Sequence, residues 1–89
     1  MSRAYLGVTY RKGKPFAAYL SFPRAPGAQV SRTQVIDADF NVDYAADGKP
    51  MGIEILNPSA ANIQWIKQLV SGMDAPPIDE ADLAPLAVV

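Results

Sequence analysis

The side chains whose spacing first suggests chemistry in this chain are carboxylates. Asp43, Asp47, Gly48 and Glu54 fall at the first, fifth, sixth and twelfth places of an EF-hand calcium loop, with Asp39 just upstream. Such a loop needs oxygen ligands at places one, three and five, a branched apolar residue at eight, and a helix on each side. Ala45 stands at the third place and Pro50 at the eighth. Alanine offers no side-chain oxygen, and proline cannot donate a backbone hydrogen bond. A looser divalent-cation site, or an acid/base pair, drawn from Asp39, Asp43, Asp47 and Glu54 stays as an alternative. Acid/base work requires two carboxylates in a cleft, whereas the local alternation sets these on a solvated face.

That alternation favours a β-hairpin over the calcium loop. Phe40, Val42 and Tyr44 interleave with Asn41 and Asp43, the chain turns at Asp47-Gly48, and Met51, Ile53 and Ile55 interleave with Gly52 and Glu54. A hairpin positions side chains but carries no chemistry of its own. The rest of the composition removes further chemistries: among 89 residues there is no His and no Cys. Ser-His and Cys-His nucleophiles, the usual zinc sites and disulfides are therefore all excluded. No metal or cofactor and no enzymatic activity are expected.

Cations form the second candidate group. All six charged residues before Asp37 are basic, whereas from Asp37 onward two lysines face nine acids. Oppositely charged strands pairing across a sheet would account for the split. The alternative is a nucleic-acid surface built on Arg11, Lys12, Lys14, Arg24 and Arg32, with Tyr5 or Tyr19 as stacking faces. The basic residues are spread among turns and the pI is about 5.1, so nucleic acid is the lesser reading.

The elements that position these groups follow from periodicity. Ala4 to Tyr10 and Phe16 to Phe22 alternate on either side of Arg11-Lys12-Gly13-Lys14-Pro15, which predicts two antiparallel strands. Pro23 to Gly27 ends the second. Val30 to Ile36 predicts a third strand at a sheet edge, and Asp39–Tyr44 and Met51–Leu56 the fourth and fifth. The period then changes to 3.6: Asn57-Pro58 offers a cap and a first position, Ile63, Ile66, Leu69 and Val70 an apolar stripe, and Gly72 a stop, predicting a helix over 57–71. Trp65, beside the stripe, is expected to flank the core or to sit in a subunit contact.

Together these predict an α+β fold: an antiparallel β-meander of about five strands, one helix packed on it, and a flexible tail. Residues 1–72 read as a single domain and 73–89 as a Pro-rich acidic and apolar tail. Ile78, Leu83, Leu86 and Val88 make that tail stickier than a solvating segment, so it is expected to dock on its own sheet, on a second subunit or on a partner, with these four as candidate partner-binding residues.

The block from Asn41 to Leu56, with its Asp43, its Asp47-Gly48 turn and its Gly52-Ile53-Glu54-Ile55-Leu56 strand, resembles the signature of the small bacterial domain of unknown function 2283. Upstream, Tyr10 and Ala18-Tyr19-Leu20 are similar to the family's opening Tyr and its Leu-Tyr-Ile strand. Arg11, Lys12 and Lys14 replace the acidic residues usual there, and the loop from Pro23 to Gln29 is long. The resemblance implies a β-meander with a helix across it and supplies no catalytic residues. It also implies an antitoxin-like or accessory role beside a small toxin.

The combined expectation is a non-catalytic protein-interaction module, cytoplasmic, forming a homodimer and binding a protein partner. No apolar run approaches the ~20 residues that span a bilayer, so no membrane association is expected.

Overall fold

A computed structural model of the chain describes residues 4–23, 26–58, 62–73, 78 and 80–88. Its strands are β1 (Tyr5–Arg11), β2 (Lys14–Ser21), β3 (Val30–Val35), β4 (Phe40–Ala45) and β5 (Pro50–Ile55). They are followed by α1 (Asn62–Ser71) and a 3-10 helix at Glu80–Val88. The antiparallel α+β architecture with one α-helix is the one that the alternation predicts. The five strands form one sheet in the order β1-β2-β5-β4-β3. β3, β4 and β5 run as a meander, β1 and β2 as a hairpin, and the two units join where β2 lies antiparallel to β5.

Register explains the core. Leu20 stands opposite Ile53, and Ile53 opposite Val42; Ala18 stands opposite Ile55, and Ile55 opposite Phe40. Because side chains alternate along a strand, this pairing puts one apolar row on a single face. Ile66 and Val70 of α1 complete the cluster with Leu83 and Leu86 of the 3-10 helix, and all four are buried. The segment read from sequence as a tail thus contributes two side chains to the same core. Within the single chain this segment packs on β1 and α1.

The turns follow from the residues that form them. Gly48, at φ 87°, is paired back to the Ala45 carbonyl at 3.0 Å, and the Asp47 Oδ1 accepts the Lys49 N–H at 2.9 Å. Asp47 is therefore a turn acceptor in a β-hairpin, and the strands on either side dispose of the EF-hand reading. Asp37 does the same between β3 and β4, accepting from the N–H groups of Asp39 (2.8 Å) and Phe40 (3.1 Å).

The helix is shorter than periodicity predicts. Asn57 and Pro58 precede it as irregular chain, because the Leu56 N–H still bonds the Asp39 carbonyl at 2.8 Å, and a chain just leaving the sheet must turn before it can coil. The residue before a proline is also disfavoured in helical conformation. At the other end the stop before Gly72 is as expected. Trp65 flanks the core, its ring edge-on to Phe40 at 6.3 Å between centroids.

Candidate functional site

The face of the sheet opposite the core carries the polar side chains. Tyr19 on β2 extends over Gly52 on β5, and its hydroxyl donates to the Asp43 carboxylate on β4 at 2.7 Å. The other Asp43 oxygen accepts from the Thr33 hydroxyl on β3 at 2.6 Å. One row of side chains thereby crosses four strands. Beside it, the Asn41 amide donates to Glu54 at 2.9 Å. Among the described residues, Asp43 and Glu54 are thus matched by neutral donors rather than by cations.

Asp39, Asp43, Asp47 and Glu54 are not gathered. Asp47 sits in the β4–β5 turn and Asp39 beyond the other end of β4, and among the described residues no three carboxylates cluster as a cation site would need. Near the β4–β5 turn, Pro23, Ala28, Ala45, Asp47, Lys49, Pro50 and Met51 line a cleft of about 80 Å³. That is far below the ~300 Å³ of a small-molecule site, and the adjoining hollow of about 350 Å³, lined by Gly27, Ala28, Gln29, Ala45, Ala46 and Asp47, is open to solvent rather than enclosed.

Tyr19, Asp43, Gly52 and Glu54 all come from the stretch between β2 and the end of β5, and they form one continuous surface. The family model described as "Protein of unknown function (DUF2283)" matches residues 17–59. Those residues are a DUF2283 domain. No curated protein and no solved structure matches the chain. The DUF2283 match takes in most of β2 and all of β3, β4 and β5, and so contains the polar row and one sheet edge. The tip of the β1–β2 hairpin, α1 and the 3-10 helix lie outside it.

The edge within the DUF2283 domain is β3. All six of its residues are exposed, Val35 at 71% and Val30 at 49%, and none contributes to the core cluster. At the opposite edge β1 packs against the 3-10 helix. β3 packs on β4, so its outer side presents backbone groups. Which groups these are follows from register. The Ile36 N–H bonds the Phe40 carbonyl, and inward and outward directions alternate along an antiparallel strand. Arg32 and Gln34 therefore face β4 with their backbone groups, while those of Thr33 and Val35 face outward.

The basic residues fall in two places. β5 pairs with β2 only from Ala18 to Ser21, so Lys14 to Ala17 pair with β1 alone and form a two-stranded arm. At its tip Lys12 and Gly13 both have positive φ, 54° and 77°, and Arg11 stands directly opposite Lys14. Phe16 is the extra residue of a bulge; it is exposed, and the Arg11 guanidinium lies 4.1 Å from its ring centroid. Arg32 is on β3, 4.0 Å above the Tyr44 ring. Register thus gives neither arginine a carboxylate as direct cross-strand partner, unlike the pairing the charge split suggested. Arg24 lies outside the described residues.

The tail candidates are dispersed. Leu83 and Leu86 are wholly buried, so in this conformation they face the core rather than a partner; Ile78 is half-buried against the same cluster, and the side chain of Val88 lies outside the described residues. Sequence reading missed the Tyr19–Gly52 contact and the bulge at Phe16. A glycine within an alternating strand was the available signal for the first; nothing local marks the second.

No helix among the described residues is long and apolar enough to cross a membrane.

Proposed function

We propose that this chain is a non-catalytic protein-interaction module that takes an extended partner segment along the open edge of β3. The observation that carries the reading is β3 itself, a six-residue strand exposed throughout and with no Pro or Lys to block pairing. Natural sheets normally cover, charge or break such an edge; here Arg32 and the irregularity between Val30 and Arg32 guard only its start, and Thr33 to Val35 stay regular and uncharged. An added strand would satisfy the outward groups of Thr33 and Val35, with specificity from the side chains of alternate residues. The carboxylates support the reading in a second way. Asp37, Asp43, Asp47 and Glu54 each accept a hydrogen bond within the chain, and their job is to shape the sheet. Antitoxin-like capture of a small toxin is the specific form that the family resemblance suggests.

Val35→Pro tests the edge, because it removes an outward N–H that β4 does not use. Immobilised wild type should recover a partner that this variant loses, with circular dichroism confirming that both are folded. Equal recovery by both would remove β3 from the function.

A second reading rests on the arm. Arg11, Lys12 and Lys14 crowd one turn beside the exposed rings of Phe16 and Tyr10. Like charges directly opposite one another are destabilising, and a polyanion such as nucleic acid would relieve them. Oligonucleotide binding that weakens steeply with salt would support this reading; absent or salt-insensitive binding would end it.

A further inference from the structure

We infer that the segment paired on β3 is β3 of a second copy of this chain, antiparallel about a two-fold axis through Gln34. This rests on the reading of the β3 edge as the binding surface and names its occupant.

The first argument is geometric. Regular pairing with β4 runs without a register shift from Arg32 to Val35 and extends to Ile36 through its N–H bond to Phe40; the irregularity lies between Val30 and Arg32. The midpoint of that regular stretch is Gln34. An axis there sets Arg32 opposite Ile36 of the second copy, Thr33 opposite Val35, and Gln34 opposite Gln34. The outward backbone groups belong to Thr33 and Val35, so the two Thr33–Val35 pairs are the hydrogen-bonded ones and the Gln34 pair on the axis is the close, non-bonded one. Every outward backbone group in the overlap is satisfied, and the highly exposed Val35 gains a β-branched neighbour.

Charge supplies the second argument. β3 carries Arg32 near its start, and Asp37 follows just beyond its end. Antiparallel self-pairing brings the Arg32 end of each copy to the Asp37 end of the other, twice by symmetry, while no like charges stand opposite. On the axis two neutral amides meet, each with a donor and an acceptor. Such an isologous contact closes on itself, giving one ten-stranded sheet with a β1 strand at each end. A five-residue edge contact falls below the ~1,200 Å² of a stable interface, so the dimer dissociates on dilution.

The test is a charge swap on the axis, read by light scattering over a concentration series. Wild type should rise from 9.6 kDa towards twice that mass. Gln34→Lys and Gln34→Glu each place two like charges face to face and should stay at 9.6 kDa where wild type has doubled; mixing the two should restore the doubled mass. Gln34 is exposed, so both variants keep the fold. The chain has no cysteine, so Gln34→Cys should form a disulfide-linked dimer while Gln64→Cys, on exposed α1 surface, should not. A wild type that is monomeric at every concentration, a doubled mass that survives in each charge variant alone, or equal cross-linking at 34 and 64 would each overturn the inference. Failure here with partner loss by Val35→Pro would leave the edge reading standing with a different occupant; equal partner recovery by that variant would remove the edge reading as well.

Discussion

The Tyr19 ring occupies the space where a side chain on Gly52 would stand, and from there its hydroxyl reaches Asp43 two strands away at 2.7 Å. Glycine in the middle of a strand weakens it unless something covers the gap. Here an aromatic ring does so, which makes Gly52 buried on the otherwise polar face.

Gly52→Ala should therefore destabilise the fold by about 1–3 kcal/mol, because the new methyl displaces the ring and its hydrogen bond. Urea unfolding measures this. Combined with Tyr19→Ala, the substitution should cost less than the two single changes added, since both remove the same contact. Strict additivity would show that the ring does not depend on the glycine.

Lys12 sits at φ 54° in the first position of the arm's turn, a conformation that suits Asn or Gly better. Lys12→Asn followed by the native Gly13 should stabilise the chain by roughly 0.5–1 kcal/mol, partly through relief of strain and partly by thinning the cations around Arg11 and Lys14. The expected sign is a higher unfolding midpoint; a lower one would mean that Lys12 makes a compensating contact.

Leu83→Ala measures whether the C-terminal segment is part of the cooperative unit. A wholly buried leucine truncated in a core costs about 2–5 kcal/mol, whereas the same change in a solvated tail costs within ~0.5 kcal/mol. The larger loss is expected, and with it a lower unfolding midpoint for a chain ending at Gly72.

Amide hydrogen exchange should alternate along β3. In dilute protein the Arg32 and Gln34 amides, turned to β4, should exchange slowly, and those of Thr33 and Val35, turned outward, quickly. Raising the concentration should slow the second pair if β3 is self-paired. Uniform protection in dilute solution would contradict the register.

Much of this fold is written locally. The period of two in Leu6, Val8, Ala18, Leu20, Val42 and Ile53, broken at Lys12-Gly13, Pro23, Asp37 and Asp47-Gly48, marks strands and turns, because alternation and turn chemistry involve only neighbours in sequence. The change to a period of 3.6 at Ile63, Ile66 and Val70 marks the helix, and the lack of His and Cys removes whole classes of chemistry by composition alone. What alternation cannot express is which strand lies beside which. β2 and β5 pair although β3 and β4 both lie between them in the chain, and only that pairing lets Tyr19 cover Gly52 and meet Asp43. The same pairing pushes β3 to an edge, where Thr33 and Val35 turn their backbone groups outward. Burial of Leu83 and Leu86 is likewise settled by the surface that β1 and α1 leave open, since a few apolar residues in an acidic, proline-rich stretch carry no period that names their target. Sequence by itself determined the strands, the presence of α1 and the excluded chemistry; the tertiary structure decided the shared polar row, the buried 3-10 helix and the open edge, because each depends on contacts between residues distant in the chain.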